Sequence, residues 1–198
     1  MKRKFISVMM ACVVSIVLLS GCGKAAQEEN TDRQEQENDA GQSGQEEQSS
    51  GIVFEAQDLE GNTVTESFFA ESRLTMVNVW ATYCDPCLRE MPGLGELAGE
   101  YDPDQFQIIG IVSDVQEGAQ EEALEYAGTL VTQTGANYSH LLLNQSLFMA
   151  FLRDVSAVPT TFFVDENGEV LDTIVGAMDK SAWKEKIDTF LESEPSRL

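Results

Sequence analysis

The sequence is poor in basic residues and in histidine. Its 198 residues include 12 Lys and Arg against 34 Asp and Glu, with one histidine, and the formal net charge is −22. Nucleic acid is excluded as a partner because phosphate binding requires neutralisation by Lys and Arg. A structural zinc site needs about four Cys or His ligands. Because two of the four cysteines lie in the first 22 residues, we expect no metal and no cofactor.

A long apolar run is confined to the start of the chain. Residues 5–21 are apolar and follow three basic residues, which is typical of a secretory signal. The run ends in Leu-Ser-Gly before Cys22, which resembles the lipobox of bacterial lipoproteins. That resemblance implies that residues 1–21 are a signal peptide, removed before lipid (with palmitate among its acyl chains) is attached to Cys22. An uncleaved membrane anchor is the alternative, although 17 residues are few for a span.

Residues 22–50 lack the apolar side chains that a folded segment needs. Residues 24–50 contain no aromatic residue and no Val, Ile, Leu or Met, while eight acids stand against two basic residues. Such a segment buries too little apolar surface to offset its ordering entropy. We therefore predict that lipidated Cys22 is followed by a disordered acidic tether. Removal of the basic leader would change the net charge from −22 to −25.

Residues 51–198 have the length of one domain. The predicted elements, from apolar periodicity and turn residues, are a hairpin (52–64), a buried strand (74–81), a helix (88–101), a buried strand (106–114), a helix (118–134), a short helix (147–152), a hairpin (160–176) and a terminal helix around Trp183. Strands that alternate with helices predict an α/β fold in which a mixed sheet carries helices on both faces.

Cys84 and Cys87 follow a predicted strand and begin a predicted helix. A disulfide between them would close too small a loop to stabilise the fold much. Two thiolates could also bind copper(I), which is a soft ion. Redox chemistry fits better, because the amides and dipole of a helix N-terminus stabilise a thiolate on Cys84. Cys87 is then close enough to displace a mixed disulfide, and Pro86 suits the first helical turn.

Two stretches resemble a known family. Residues 77–87, VNVWATYCDPC, and residues 158–170, VPTTFFVDENGEV, are together similar to the thioredoxin superfamily. The closest likeness is to the TlpA/ResA branch of membrane-tethered thiol–disulfide oxidoreductases, and it extends over about residues 52–193. The resemblance implies a thioredoxin-like fold with an N-terminal β-hairpin and a redox-active Cys84–Cys87 disulfide.

The resemblance also implies residues that support the dithiol. It implies a cis peptide bond between Val158 and Pro159, packed beside the cysteines. It makes Trp80 a wall of the cleft. Glu90 stands three residues after Cys87, so helical spacing puts both on one side of the helix, and ResA-like proteins carry an acid at this position.

Further expectations concern Asn78, His140 and the acidic residues near the dithiol. Asn78 stands where thioredoxin has a buried aspartate, and we expect it to satisfy local backbone groups. His140 lies in no motif, so we expect it not to be catalytic. Asp85 and Glu90 would disfavour a nearby thiolate by like charge, which predicts a reductant and not a strong oxidant.

The predicted function is reduction of disulfides in exported proteins by a lipid-anchored monomer on the extracytoplasmic face of the bacterial cell membrane. Relatives in this branch act in cytochrome c biogenesis by reducing apocytochrome c, or recycle secreted methionine sulfoxide reductases. The resemblance thus implies a membrane thiol donor as a partner. One alternative is a peroxiredoxin-type thiol peroxidase, although Thr82 stands two residues before Cys84 where that family has three. The other is a copper or haem-assembly binding module.

Overall fold

The computed structural model describes residues 51–193. The predicted signal peptide, the lipidated Cys22 and the acidic tether lie outside the described residues, as do residues 194–198. Within the described part, no helix is long and apolar enough to cross a membrane.

Strands in residues 51–193 form a small sheet and a large one. They are β1 (Glu55–Gln57), β2 (Thr63–Thr65), β3 (Leu74–Trp80), β4 (Phe106–Gln116), β5 (His140–Leu143), β6 (Thr160–Asp165) and β7 (Val170–Val175). β1 and β2 pair antiparallel as the predicted N-terminal hairpin. The large sheet has the order β5-β4-β3-β6-β7. It is mixed, because β3, β4 and β5 run parallel while β6 is antiparallel to both β3 and β7.

The sequence-based element order omitted strand β5. Its four residues, His-Leu-Leu-Leu, are too few and too uniformly apolar to show the alternation that marks a strand. The strand forms because its backbone continues the ladder of β4, through pairs such as Gly110 with His140.

Helices cover both faces of the large sheet, as predicted. They are α1 (Asp85–Ala98), α2 (Glu121–Thr134), α3 (Gln145–Leu147), which continues into a π-helical turn (Phe148–Leu152), and α4 (Lys180–Ser193), with a 3-10 helix at Glu66–Glu71. Buried side chains of α1, α2 and α4 pack on one face. The hairpin, the 3-10 helix and the π-helical turn pack on the other.

Strand β3 carries the chain through the centre of the sheet to the site. All of its residues are buried, since α1 and α4 cover one face and the hairpin side covers the other. Val77 and Val79 enter the cluster on the hairpin side, whereas Met76 and Trp80 enter the clusters on the helix side. Burial of such side chains contributes about 1.5–3 kcal/mol each. This packing fixes where β3 ends, just before the two cysteines.

One row of residues crosses four strands on the α1 side of the sheet. Asn78 on β3 pairs with Thr161 on β6 and with Gly110 on β4, and Gly110 pairs with His140 on β5. Side chains opposite one another in a ladder point to the same face. We call these four residues the cross-strand row. Thr161, Asn78 and His140 are buried, so a strip of polar groups lies inside the fold.

Candidate active site

The two cysteines are held by a tight turn between β3 and α1. The Cys84 N–H donates to the Ala81 carbonyl at 3.0 Å. Cys84 is the N-cap of α1, and the Cys87 N–H donates to its Sγ at 3.3 Å. The two sulfurs form a disulfide, with their Cα atoms 5.3 Å apart. Pro86 lies in the first helical turn, where its missing N–H costs nothing.

The two cysteines differ in exposure. Cys84 retains 6% of its surface, whereas Cys87 retains none. Cys84 is therefore the cysteine of the pair that a disulfide or electrophile from solvent can reach. The helix N-terminus also stabilises negative charge on this sulfur. Asp85 between them is exposed, so solvent and salt screen its charge.

The loop before β6 faces the same sulfur. The Val158–Pro159 peptide bond is cis, as the resemblance implied. The Val158 carbonyl oxygen lies 3.6 Å from Sγ of Cys84. Tyr83, next to Cys84, is 74% exposed. Cys84, Tyr83 and Val158 form what we call the rim of the dithiol.

Glu90 is buried on α1, one turn after Cys87, with 5% of its surface exposed. Its carboxylate accepts hydrogen bonds from the Asn78 side chain and the Met178 N–H, each at 3.1 Å, and from the Trp183 indole at 3.2 Å. Burial raises the pKa of Glu90, and these hydrogen bonds offset part of that rise. Burial therefore favours the neutral carboxyl, whereas the three donors favour the carboxylate.

Asn78 joins Glu90 to the sheet. Its side-chain amide donates to Glu90 Oε1 and to Thr161 Oγ1, both at 3.1 Å. The expectation that Asn78 serves local backbone groups was therefore wrong. Its partners are side chains 12 and 83 residues away, which local sequence does not reveal.

Trp80 and His140 form a second buried pair on the same face. The Trp80 indole N–H donates to His140 Nδ1 at 3.1 Å, and His140 Nε2 lies 2.9 Å from the Ala136 carbonyl. These contacts match a neutral imidazole protonated at Nε2. Burial lowers the pKa of His140 to about 4, against a hydrogen bond to Ala136 that raises it. Sequence analysis missed this pair because its members are 60 residues apart.

The described residues offer little for a metal ion. Residues 51–193 contain no group of three or more His, Cys, Asp or Glu that could hold one. In reduced form, Cys84 and Cys87 would offer a copper(I) ion two sulfur ligands. The arrangement as a whole suits exchange of a disulfide, because one cysteine reaches the surface and its partner is buried beside it.

A dithiol that begins the helix after a central strand, opposite a cis-proline, defines the class of thioredoxin-fold thiol–disulfide oxidoreductases. The model of the AhpC/TSA family matches residues 50–173. That match covers more than half of the chain, and the chain belongs to this family.

Named relatives agree with this class. Thiol-disulfide oxidoreductase ResA of Halalkalibacterium halodurans is 28% identical over 141 residues, which cover 71% of this chain and 73% of the relative. Across the first curated relatives, the match spans between 52% and 73% of the relative's own length.

Solved structures share the fold. A thiol:disulfide interchange protein of Chlorobium tepidum has a TM-score of 0.61 at 23% identity, covering 71% of this chain and 94% of the other. The exposed lipoprotein thioredoxin Etrx1 of Streptococcus pneumoniae has a TM-score of 0.54 at 26% identity. That match covers 69% of this chain and 98% of Etrx1.

Proposed function

We propose that this chain reduces disulfides of exported proteins, while a lipid on Cys22 anchors it to the extracytoplasmic face of the bacterial cell membrane. The observation that carries the reductase part is the unequal exposure of the two cysteines at the start of α1. Cys84 retains 6% of its surface and Cys87 retains none.

The first step is attack by Cys84. In the dithiol form its thiolate displaces one sulfur of the substrate disulfide, so a bond forms between Cys84 Sγ and the other substrate sulfur. The displaced substrate sulfur leaves as a thiolate. The amide N–H of Cys87 and the helix dipole stabilise the attacking charge.

The second step is release by Cys87. Its thiol loses a proton and attacks Sγ of Cys84, forming the intramolecular disulfide and freeing the second substrate thiolate. Two electrons have then passed from the dithiol to the substrate. We assign Glu90 the proton of Cys87, because its raised pKa lies closer to that of a thiol than an ordinary carboxyl would. A membrane thiol donor would restore the dithiol.

The buried carboxyl of Glu90 supports the direction of this chemistry. An ionised Glu90 near the dithiol disfavours a thiolate, which weakens the reduced form and makes the protein give up electrons more readily. We therefore propose a reduction potential nearer to thioredoxin's, about −270 mV, than to DsbA's, about −120 mV. Equilibration with glutathione buffers measures this potential, and a value near −120 mV would exclude the reductase direction.

Names of relatives support the reaction and the location. ResA of H. halodurans is called a thiol-disulfide oxidoreductase, and the pneumococcal neighbour is called an exposed lipoprotein thioredoxin. Apocytochrome c and secreted methionine sulfoxide reductase are the substrates we propose, with a monomer as the active form. Replacement of Cys22 by alanine should stop incorporation of labelled palmitate. Continued labelling would place the lipid elsewhere.

Replacement of each cysteine tests the roles. Cys84→Ser should abolish insulin-disulfide reduction by the full chain. Cys87→Ala should retain attack but stall at the mixed disulfide, which can be trapped in the native host and identified by mass spectrometry. Adducts on Cys87 of the Cys84→Ser variant would reverse the assignment. Peroxide turnover without any disulfide substrate would favour the peroxidase alternative, and stoichiometric copper(I) binding without reductase activity the binding module.

A further inference from the structure

The proposed chemistry gives His140 no role. This residue lies at the β5 end of the cross-strand row, buried to 1% exposure. Its ring contacts Trp80 edge-on, with centroids 5.5 Å apart, and Tyr138 on another side at 4.5 Å. Tyr138 is also the titratable group that packs against it. Burial and the charge of Glu90 raise the pKa of Tyr138, so its phenol stays neutral.

Gly110 makes this placement possible. A Cβ atom at residue 110 would overlap the His140 imidazole at Nδ1. The imidazole therefore lies across β4 and reaches Trp80 on β3, one strand beyond its own neighbour in the sheet. Nδ1 accepts the indole hydrogen there, while Nε2–H is used by the Ala136 carbonyl.

Trp80 connects this pair to the dithiol. It is fully buried, and it belongs to the same apolar cluster as Cys84, Cys87 and Met91. A buried indole N–H needs a partner, since leaving it unpaired costs about 1–3 kcal/mol. The imidazole of His140 is the acceptor that the structure provides for it.

We propose that His140 is a positioning residue for the dithiol: its Nδ1 holds the Trp80 indole in the cluster around Cys84 and Cys87, and so keeps water from the two sulfurs. This inference rests on the proposed disulfide exchange. It differs from a purely structural role because the held indole changes the chemistry of the sulfurs as well as the stability of the fold.

Loss of the hydrogen bond between Trp80 and His140 should change the reactivity of the dithiol in a defined direction. Without Nδ1 the indole N–H is unpaired, the ring turns toward a partner, and water reaches the sulfurs. Water stabilises a thiolate relative to an apolar wall. The dithiol form of the protein then becomes more stable against oxidation, and Cys84 reacts faster with an alkylating agent.

Variants at two positions test the proposal in the full-length chain. In His140→Leu, and in Gly110→Ala, where a methyl displaces the imidazole, we expect the rate of Cys84 alkylation by iodoacetamide at pH 6 to rise about threefold or more. The equilibrium constant with glutathione should shift by a similar factor toward the dithiol. His140→Gln retains a side-chain acceptor and should lie closer to wild type. Phe69→Leu, in the cluster on the opposite face, is the control for lost stability alone.

The outcomes separate this inference from the proposed function. If His140→Leu and Gly110→Ala melt at lower temperature but alkylate and equilibrate like Phe69→Leu, His140 is only structural and the inference fails. If the wild-type protein does not exchange with glutathione at all, the proposed function fails instead.

A measurement on the wild-type protein tests the inference even if the variants do not fold. The Trp80 indole N–H signal in a ¹⁵N NMR spectrum, assigned with a Trp183→Phe variant, should move when the disulfide is reduced, and His140 should show an unprotonated Nδ1. An indole signal that does not respond to reduction, or a proton on Nδ1, would overturn the inference.

Discussion

Glu90 and His140 are both buried on the α1 side of the sheet, yet their partners differ in kind. Glu90 accepts hydrogen bonds from Asn78, Met178 and Trp183, and each donor favours its ionised form. His140 accepts one hydrogen bond from Trp80 and donates another, a pattern that only the neutral imidazole can make.

This difference shows how one buried layer can contain both a group whose partners favour its ionised form and a group whose hydrogen bonds require its neutral form. Burial alone drives each group toward its neutral form. The donors around Glu90 oppose burial, so they offset part of the rise in its pKa. At His140 the hydrogen bond to Ala136 also opposes burial, but burial outweighs it, and Nδ1 must stay unprotonated to accept the Trp80 indole N–H.

The two groups also change the stability of the fold in opposite directions as the pH rises. Folding raises the pKa of Glu90 above its usual 4.5, so the folded chain holds a proton that the unfolded chain has lost. Its contribution to stability therefore falls as pH rises from 4.5 through the folded pKa. Folding lowers the pKa of His140 from 6.5 to about 4, so its contribution is lost as pH falls through that interval.

The largest expected effect is the acid sensitivity that comes from His140. Between pH 7 and pH 4.5 the wild-type chain should lose about 2–3 kcal/mol of unfolding free energy through this group, since the unfolded chain gains a proton there. His140→Gln cannot titrate and should lose that much less over the same interval. Urea unfolding at the two pH values measures both. Parallel losses in the two proteins would mean that His140 is charged in the folded state.

Glu90→Gln should have the next largest effect. The amide replaces one acceptor oxygen with a donor that faces Asn78, Met178 or Trp183, which costs about 1–2 kcal/mol. The decrease in stability above pH 4.5 that we attribute to Glu90 should disappear. Glu96→Gln is the matched control on α1. Its carboxylate makes an exposed ion pair with Lys180, and its loss should change stability by less than about 1 kcal/mol.

Asn78→Ala should shift Glu90 further toward its neutral form, which is the form that the partners of His140 require. The substitution removes one of the donors that favour the ionised carboxyl, so the pKa of Glu90 should rise further, with a loss of about 1 kcal/mol in stability. The carboxyl ¹³C signal of Glu90, followed by NMR against pH, reports the change. Thr161→Val removes the other contact of Asn78 and leaves Glu90 its donor, so an equal shift in both variants would contradict this account.

The smallest effect on stability is expected at the rim. Tyr83 is 74% exposed, so Tyr83→Ala should change the unfolding free energy by no more than about 0.5 kcal/mol. It should slow the reduction of a protein disulfide, which must lie against the rim, and leave exchange with glutathione unchanged. Equal slowing with both substrates would mean that Tyr83 affects the dithiol itself and not the docking of the substrate.

Much of the fold was predictable because its signals are local. Apolar runs gave the central strands β3 and β4, and helical periodicity gave α1 and α2 to within a few residues. The terminal helix α4 begins after Asp179, whose Oδ1 accepts the Ala182 N–H at 2.9 Å. Strand β5 was missed because its sequence shows no strand pattern. It is a strand because it pairs with β4.

The sequence by itself determined the dithiol. Cys84 and Cys87 stand three residues apart at the start of a helix, and the contact between the Cys87 N–H and Cys84 Sγ needs only that helix. Only the tertiary structure decided the pKa values of the buried groups around the dithiol. The partners of Glu90 are 12 to 93 residues away and His140 depends on Gly110 and Trp80 across two strands, so strand register and burial set their pKa values. Local sequence specifies which groups are present, whereas long-range packing sets their solvation and their hydrogen-bond partners.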